Sequence, residues 1–337
     1  MVICQTPVRI SFFGGGTDYP AWYKEHGGAV VSTTINKYGY ISCRKLPPFF
    51  EHKHRVVYSK IETVRNVDEI DHPAVKAVFK YLDIQQGLEI HYDGDLPARS
   101  GLGSSSCFTV GLLNALYALR GERKSKQQLA EEAIHVEQDL IKETVGSQDQ
   151  VAAAYGGFNR IDFMPSGHIR VNPIIISHDR MQNLNDHLML FFTGFSRIAE
   201  TVAKSKIENF RQKQGHLFNM IKMADNAQNI FQSQSDSFDD IGRMLHEAWS
   251  LKKELSEKVS TSRIDEIYEV GMKNGALGGK ILGAGGGGFI LFYARPESQP
   301  QIREALKPLL QVPFKFEFGG SQIALYNPHL ESGQRHL

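Results

Sequence analysis

The sequence predicts an α+β protein built from two domains. Strand-like and helix-like segments are intermixed along all 337 residues but do not alternate as βαβ units, which argues against a doubly wound parallel sheet. The first half mixes both kinds of segment, whereas a long helical region occupies much of the second half. We therefore predict an N-terminal domain over 1–180 and a C-terminal domain over 181–337.

The segments of the first half are assigned by their composition and periodicity. Val2–Phe13 predicts a strand interrupted at Pro7, and the Val-, Ile-, Thr- and Tyr-rich stretch Ala29–Cys43 predicts one or two strands. Ser104–Arg120 is apolar on nearly every side, which is typical of a buried helix. The other predicted elements are helices at Pro73–Leu82 and Gln127–Glu143, a strand at Leu88–Tyr92, and a short helix that restarts near Gln148.

The second half is dominated by apolar stripes at helical spacing. They predict helices from about Ile198 to Asn274, with breaks near Ser233–Ser237 and Ser260–Ser262. The remaining predictions are strands at Ile174–Ile176, Leu188–Phe192, Gly279–Leu282 and Phe289–Tyr293, a helix near Ser298–Leu310, and two last short strands.

Composition excludes several classes of protein. Lys and Arg number 38 against 37 Asp and Glu, so no basic excess indicates a nucleic acid or an anionic membrane as partner. Cys4, Cys43 and Cys107 are far apart, which argues against a disulfide framework or a zinc knot and fits a reducing cytoplasm. No apolar run approaches the ~18 residues that span a bilayer, and no signal peptide is evident at the N-terminus. We expect a cytoplasmic enzyme, either a monomer or a homodimer.

The glycine- and serine-rich run Gly101–Ser106 has two interpretations. Glycines let the backbone approach an anion, and the helix that follows would direct free N–H groups at it, so the run could bind phosphates. The same run could be a glycine turn followed by a serine helix cap. It lacks the lysine of a Walker loop.

A second glycine-rich run, Gly283–Gly288, formally matches a dinucleotide-binding fingerprint. It lies between two strand-like segments and opens no helix, so we reject that function. It predicts a tight hairpin or a backbone that a loop or ligand approaches closely.

Three carboxylates stand out. Asp18 lies near the end of the third glycine-rich stretch, Arg9–Tyr19, and either starts a turn or accepts hydrogen bonds from a polyol. Glu137 lies at the edge of an apolar helix stripe. It is either a boundary glutamate whose carboxylate reaches water or a ligand of Mg²⁺. Asp149 is a favourable first-turn charge or a general base.

In order and spacing, the three stretches resemble the motifs of the GHMP kinase superfamily. TPVRISFFGGGTDY is similar to its first motif, LPARSGLGSSS to its phosphate-binding loop, which has no Walker lysine, and GGKILGAGGGGFILF to its third motif. The resemblance implies a kinase that uses ATP and Mg²⁺. It also implies an N-terminal ribosomal-protein-S5-like domain and a C-terminal ferredoxin-like α+β domain, with the active site between them.

Within the superfamily, the GGGTD form of the first motif, FFTGFSR and the WSLKKELS region resemble kinases of heptose phosphates. This resemblance implies phosphorylation of the anomeric hydroxyl of D-glycero-D-manno-heptose 7-phosphate to the 1,7-bisphosphate, for GDP-heptose and surface polysaccharide synthesis. Another sugar 1-kinase, for L-fucose or galactose, remains an alternative, and so does a non-catalytic sensor of sugar and nucleotide.

The resemblance also implies roles for individual residues. Asp149 and Arg9 correspond to the catalytic pair, and Ser105 with Glu137 to the Mg²⁺ ligands. The ATP phosphates would be bound by Gly101, Leu102, Gly103, Ser104, Ser105 and Ser106. The sugar would be bound by Asp18, Gly15, Gly16, Thr17, Arg197, Gly285 and Gly286. Gly15 and Gly16 replace a Glu-His pair of galactokinases, which argues against galactose. Candidates for the substrate's own phosphate are Arg197, Arg44, Lys53 and Arg55.

Overall fold

The computed structural model of this chain describes residues 1–98, 100–194, 199–233, 235 and 237–327. Within these residues, helices and strands form two sheets with helices packed against them, which confirms the predicted α+β class. None of the helices in the described ranges is both long enough and apolar enough to span a membrane.

The strands are distributed along the whole chain. In chain order they are β1 (Val2–Phe13), β2 (Gly28–Lys45), β3 (His54–Val57), β4 (Ile61–Val64), β5 (Leu88–Gly94), β6 (Phe158–Phe163), β7 (Ile169–Pro173), β8 (Leu188–Phe192), β9 (Ala276–Ile281), β10 (Phe289–Ala294), β11 (Leu310–Gln311), β12 (Phe316–Glu317) and β13 (Gln322–Tyr326). Most of the predicted strands are confirmed, but Ile174–Ile176 is not one, because β7 ends at Pro173 and the chain then enters a helix.

The larger sheet is arranged around the long strand β2. Its order is β13-β1-β2-β5-β3-β4, and β2 also pairs with β6 and β12, while β7 pairs with β6. The smaller sheet has the antiparallel order β11-β8-β10-β9. Because β12 and β13 pair with β2 and β1, residues 316–326 lie in the first sheet, whereas the sequence assigned them to the second domain.

Pro7 does not interrupt the first strand. β1 is continuous, but its register against β2 shifts between Pro7 and Val8. Proline has no N–H to donate to the ladder, so an irregularity at this position lets the strand continue. The strand therefore carries Arg9 and Ser11 on towards the glycines that follow Phe13.

The helices follow most of the predicted periodicity. They are α1 (Pro20–His26), α2 (Pro73–Tyr81), α3 (Ser104–Leu119), α4 (Lys126–Ile134), α5 (Gln148–Tyr155), α6 (His178–Asp186), α7 (Ala199–Asn209), α8 (Gln214–Gln232), α9 (Asp239–Glu254), α10 (Ser262–Lys273) and α11 (Gln299–Ala305). The predicted helix Gln127–Glu143 is instead α4 followed by a π-helical turn over His135–Leu140. Such turns are rare and often occur at functional sites, and this one carries Glu137.

Buried aromatic side chains join the two halves of the chain. Phe12 of β1 and Phe158 of β6 have ring centroids 5.9 Å apart, and Phe158 lies 4.8 Å from Phe231 of α8. All three rings are buried in one apolar cluster that also contains Leu291 of β10. The shared core holds the ends of β1 and β9 next to one another, at the edge of the cavity described below.

Candidate active site

The glycine-rich stretches Arg9–Tyr19 and Gly101–Ser106, together with the start of the run Gly283–Gly288, meet around a cavity of about 260 Å³. The sequence-predicted residues that line it are Arg9, Gly15, Gly16, Asp18, Gly101, Gly103, Ser104, Ser105, Ser106 and Asp149. They belong to β1, to the loop after it, to the run before α3 and to the first turn of α5. The fold therefore brings together residues that are up to 140 positions apart.

Arg9 and Asp149 form a bidentate ion pair in this cavity. The Nε and Nη2 atoms of Arg9 each donate to a different carboxylate oxygen of Asp149, both at 2.8 Å. Nη1 of Arg9 donates to the carbonyl oxygen of Gly101 at 2.7 Å. Arg9 is buried, whereas about a quarter of the Asp149 side chain (26%) is exposed. The guanidinium thus fixes the carboxylate's orientation and leaves it open to the cavity.

The run before α3 wraps closely around the same carboxylate. Gly103 has φ of +77° and directly precedes the first residue of α3. A Cβ at Gly103 would lie 3.2 Å from Oδ2 of Asp149, so both the backbone conformation and the space favour glycine there. The free N–H groups of the first turn of α3 follow at once, which is the arrangement that binds phosphate oxygens. Leu102 has a different role: its side chain is fully buried, and its carbonyl accepts from Arg9 N at 3.0 Å.

Glu137 lies behind this run with one oxygen unpaired. Its Oε2 accepts from Ser106 Oγ at 2.9 Å and from Gln150 Nε2 at 2.5 Å. Oε1 is buried and has no partner among the described residues. Burial raises the pKa of Glu137 to about 7, and the neighbouring side chains of Thr109, Ser106 and Gln150 oppose that shift. A buried carboxylate oxygen beside a hydroxyl is a donor set that fits a hard cation such as Mg²⁺.

The serine that contacts Glu137 is Ser106, whereas the sequence assigned this position to Ser105. Ser105 is exposed on the first turn of α3, while Ser106 is buried. Successive residues of a helix point about 100° apart, so only one of the two serines can face the π-helical turn. Ser105 still lines the cavity.

Asp18 is a buried carboxylate on the opposite side of the glycine loop. Its Oδ1 accepts from the backbone N–H of Gly16 at 2.8 Å. Gly146 makes room for it, because a Cβ there would lie 1.9 Å from Oδ2 of Asp18. Burial raises the pKa of Asp18, with the Gly16 N–H and the nearby Lys206 acting against that shift. The neighbouring Thr17 does not line the cavity, since its hydroxyl is bonded to the Gly14 and Ala29 carbonyls.

Three buried lysines that the sequence did not single out line the cavity. They are Lys206 of α7, Lys252 of α9 and Lys280 of β9. Burial lowers the pKa of Lys206 to about 8 and that of Lys280 to about 7, and it lowers the pKa of Lys252 well below its usual value. Single lysines at these positions give no distinctive signal in the sequence, and only the packing of the two halves shows that they are buried at one cavity.

The ammonium groups of these lysines differ in their contacts. Lys252 donates to the carbonyls of Ile281 and Gly283, both at 2.7 Å, and Lys280 donates to the carbonyl of Phe12 at 2.7 Å. Lys206 lies over the ring of Tyr19, 5.3 Å from its centroid, and donates no hydrogen bond to any described residue. All three donors of its ammonium are therefore available to an anion, whereas Lys252 keeps one N–H and Lys280 keeps two.

The glycine-rich run Gly283–Gly288 packs largely against neighbouring backbone rather than facing the cavity. Gly283 lines the cavity, but Gly285 and Gly286, predicted to bind substrate, do not. A Cβ at Gly285 would lie 2.7 Å from the Val259 carbonyl, and Gly286 N donates to that carbonyl at 2.8 Å. The hairpin turns these two glycines onto the backbone of residue 259, away from the cavity.

The basic residues proposed for the substrate phosphate are not brought to the cavity. Arg44 and Arg55 both pair with Glu89 on the strands of the first sheet, and Lys53 does not line the cavity either. Arg197 lies outside the described residues. Arg44 and Arg55 are partly exposed, and they pair with the buried carboxylate of Glu89 instead of a ligand.

Comparison with known proteins gives a consistent assignment. Residues 69–157 match the GHMP kinases N terminal domain, and residues 227–309 match the GHMP kinases C terminal domain. Together the two matches cover just over half of the chain. The first includes the phosphate loop, Glu137 and Asp149, and the second includes Lys252 and Lys280.

Individual relatives are similar over most of the chain. D-glycero-alpha-D-manno-heptose 7-phosphate kinase of Campylobacter jejuni is 28% identical over 318 residues, which cover 90% of this chain and 92% of that protein. The bifunctional fucokinase/GDP-fucose pyrophosphorylase of Arabidopsis thaliana is 26% identical over 90% of this chain, which matches only 31% of that longer protein. The crystal structure of a D-glycero-D-manno-heptose 1-phosphate kinase from Bacteroides thetaiotaomicron shares the fold, with a TM-score of 0.79 over 97% of this chain and 100% of that one, at 21% identity.

Proposed function

Because this chain belongs to the GHMP kinases, we propose that it transfers a phosphoryl group from ATP to the anomeric hydroxyl of D-glycero-D-manno-heptose 7-phosphate. The product would be the 1,7-bisphosphate, an intermediate for GDP-heptose and surface polysaccharides. The observation that carries the proposal is the Arg9–Asp149 pair, which faces a cavity shared by a phosphate-type loop and a buried cluster of lysines. The sequence similarity to a heptose 7-phosphate kinase supports the choice of sugar.

Asp149 is placed to act on the acceptor hydroxyl. Each of its oxygens accepts one hydrogen bond from Arg9 and keeps a second lone pair for a substrate proton. In this mechanism the carboxylate orients the anomeric hydroxyl and receives its proton as the phosphoryl group is transferred. Arg9 holds the carboxylate in place and stabilises negative charge that develops at the reacting oxygens.

The first turn of α3 would hold the phosphates of ATP, with its N–H groups and the exposed Ser105 directed into the cavity. Glu137 and Ser106 would hold Mg²⁺, since Glu137 Oε1 is buried and unpaired. The ion would neutralise charge on the transferring phosphates. Gln150 fixes the rotamer of Glu137 through its hydrogen bond to Oε2.

The lysines favour an acceptor that carries its own phosphate. Lys206 is buried beside the sugar-side residues Asp18 and Tyr19, and its ammonium donates to none of the described protein groups. A buried cation is stabilised when an anion pairs with it. We assign the substrate's 7-phosphate to Lys206, and this assignment replaces Arg44, Lys53 and Arg55 as candidates.

The specificity is tested by ADP release with ATP, Mg²⁺ and a panel of sugars. The panel contains D-glycero-D-manno-heptose 7-phosphate, the same heptose without phosphate, L-fucose and galactose. We expect the heptose 7-phosphate to have the highest kcat/KM. Turnover of unphosphorylated hexoses alone would contradict the proposal.

L-fucose is the second candidate, because the Arabidopsis fucokinase fusion is similar over 90% of this chain. Free fucose has no phosphate for Lys206 to bind, so it would leave the buried ammonium with only the electrostatic attraction of the Asp18 and Asp149 carboxylates. If L-fucose had the highest kcat/KM in the panel, the second candidate would replace the first.

A further inference from the structure

Two buried polar atoms at the cavity have no hydrogen-bond partner among the described residues. They are Oγ of Ser11 and Oε1 of Gln148. Both residues line the cavity and are about nine-tenths buried or more, with exposed fractions of 5% and 9%. An unpaired buried polar group is destabilising unless a ligand or water satisfies it, so these two atoms point to a ligand group that the protein itself does not supply.

Their positions connect them to the catalytic pair. Ser11 lies two residues after Arg9 on β1, and strand geometry places the two side chains on one face. Gln148 directly precedes Asp149 in the first turn of α5. A group bound by Ser11 and Gln148 is therefore held next to the carboxylate that receives the acceptor's proton.

Gly15 leaves the space between these two side chains open. A Cβ at Gly15 would lie 3.6 Å from Oγ of Ser11 and 3.7 Å from Nε2 of Gln148. These are ordinary van der Waals distances, and Gly15 does not have a positive φ. The backbone at Gly15 would therefore accept alanine. Glycine is not required here by the backbone conformation, and its lack of a side chain leaves a gap between Ser11 and Gln148.

The adjacent Gly16 faces a different environment. A Cβ there would lie 3.6 Å from Leu217 and 3.8 Å from Leu255. One glycine thus borders polar atoms and the next borders an apolar wall. A sugar ring, with hydroxyls on its edge and C–H groups on its faces, matches this pair of surfaces.

We propose that Ser11, Gly15 and Gln148 form a subsite that binds one uncharged hydroxyl of the acceptor sugar and so determines which sugar is phosphorylated. Oε1 of Gln148 accepts a hydrogen bond, while the Ser11 hydroxyl can donate or accept, and a sugar hydroxyl complements both. A phosphate oxygen, which has no proton to donate, is disfavoured opposite Oε1. This inference rests on the proposed sugar-kinase function.

The test compares Gly15→Ala and Ser11→Ala with the wild type in the ADP-release assay. The control is Ser32→Ala, a buried serine opposite Ser11 on β2 that does not line the cavity. We expect Gly15→Ala and Ser11→Ala to raise the KM for the sugar about three- to tenfold, as for one lost neutral hydrogen bond. The KM for ATP and the melting temperature should stay at the wild-type values, and the control should match the wild type.

A second arm identifies the hydroxyl with sugar analogues that each lack one hydroxyl. The wild type should lose affinity for one of them, and Ser11→Ala should no longer distinguish that analogue from the parent sugar. The subsite is overturned if the wild type turns over a sugar but the KM is unchanged in Gly15→Ala and Ser11→Ala, or if Ser11→Ala discriminates between analogues as the wild type does. If the wild type phosphorylates no sugar in the panel, the proposed function and the subsite both fail.

Discussion

The two sides of the cavity carry opposite charges and come from different halves of the chain. The carboxylates Asp18 and Asp149, which line the cavity, come from the first 150 residues, along with the phosphate-type loop and Glu137 behind it. The buried lysines Lys206, Lys252 and Lys280 all come from the second half. The acidic side holds groups that accept protons or cations, and the basic side holds groups that pair with anions.

This separation predicts that substitutions can alter the chemistry and anion binding independently. On the acidic side, hydrogen bonds from Arg9 and Ser106 fix the carboxylates. On the basic side, Lys252 and Lys280 are anchored by hydrogen bonds to backbone carbonyls, whereas Lys206 donates no hydrogen bond to the described residues. We therefore expect substitutions on the acidic side to reduce kcat and substitutions at Lys206 to raise the KM of an anionic substrate.

The largest effect is expected for Asp149→Asn. The amide cannot receive the acceptor's proton, so kcat should fall by about 10²- to 10⁴-fold. The fold should be retained, because the side-chain oxygen can still accept from Arg9. Single-turnover ADP release measures the loss, with Asp186→Asn on the exposed end of α6 as the control. If the variant were as fast as the wild type, Asp149 would not be the group that receives the acceptor's proton.

Glu137→Gln should reduce activity and also change the pH dependence of stability. Loss of the carboxylate should raise the Mg²⁺ concentration needed for half-maximal rate by at least ~10-fold. In the wild type, the folded-state pKa of Glu137 is raised from 4.5 to about 7, so the unfolded state loses this proton at lower pH than the folded state. Stability without Mg²⁺ should therefore fall as the pH rises from about 4.5 to 7, by about 3 kcal/mol in total.

The glutamine variant should lack this decrease, because it has no carboxyl group to ionise. Urea unfolding at pH 5 and pH 8 without Mg²⁺ measures the difference, and Glu131→Gln on the exposed face of α4 is the matched control. Equal pH profiles for the wild type and Glu137→Gln would show that Glu137 is not the buried titrating acid.

Lys206→Met should affect binding of the phosphorylated sugar more than the chemistry. A lost charged hydrogen bond corresponds to a rise in KM of about tenfold or more. The KM for the same heptose without its phosphate should change little. Lys204→Met, an exposed lysine on the same helix, is the control. If the KM rose equally for the heptose with and without its phosphate, Lys206 would not act through that phosphate. The proposed separation between acidic residues for chemistry and Lys206 for anion binding would then be wrong.

The smallest effect is the pH dependence of that KM. Burial lowers the pKa of Lys206 to about 8, so the ammonium is charged below that pH and loses its proton above it. If charge accounts for about a tenfold gain in affinity, the KM should rise about fivefold between pH 7 and pH 9. Lys206→Arg should show a flat profile, because arginine stays protonated. If the KM of the wild type did not change with pH, Lys206 would not be the residue that binds the substrate's phosphate.

Much of the fold was predictable because it depends on local patterns. The all-round apolar stretch is the buried helix α3, and the glycine–serine run is the loop before it together with the first turn of that helix. The π-helical turn was not predicted, because the apolar spacing around Glu137 is the same as in an α-helix. The pairing of β12 and β13 with strands of the first sheet was also not predicted, because the sequence of a short strand does not indicate which strand it pairs with.

By itself, the sequence determined the α+β class, the glycine-rich stretches and the residue types available for phosphoryl transfer. Backbone conformation at glycines and helix periodicity are properties of neighbouring residues, so they can be read along the chain. Only the tertiary structure decided that Ser106 rather than Ser105 contacts Glu137, that Gly285 and Gly286 pack on residue 259, and that Lys206, Lys252 and Lys280 line one cavity. These arrangements depend on how distant elements pack, and burial between two halves of the chain is what gives an isolated lysine its altered chemistry.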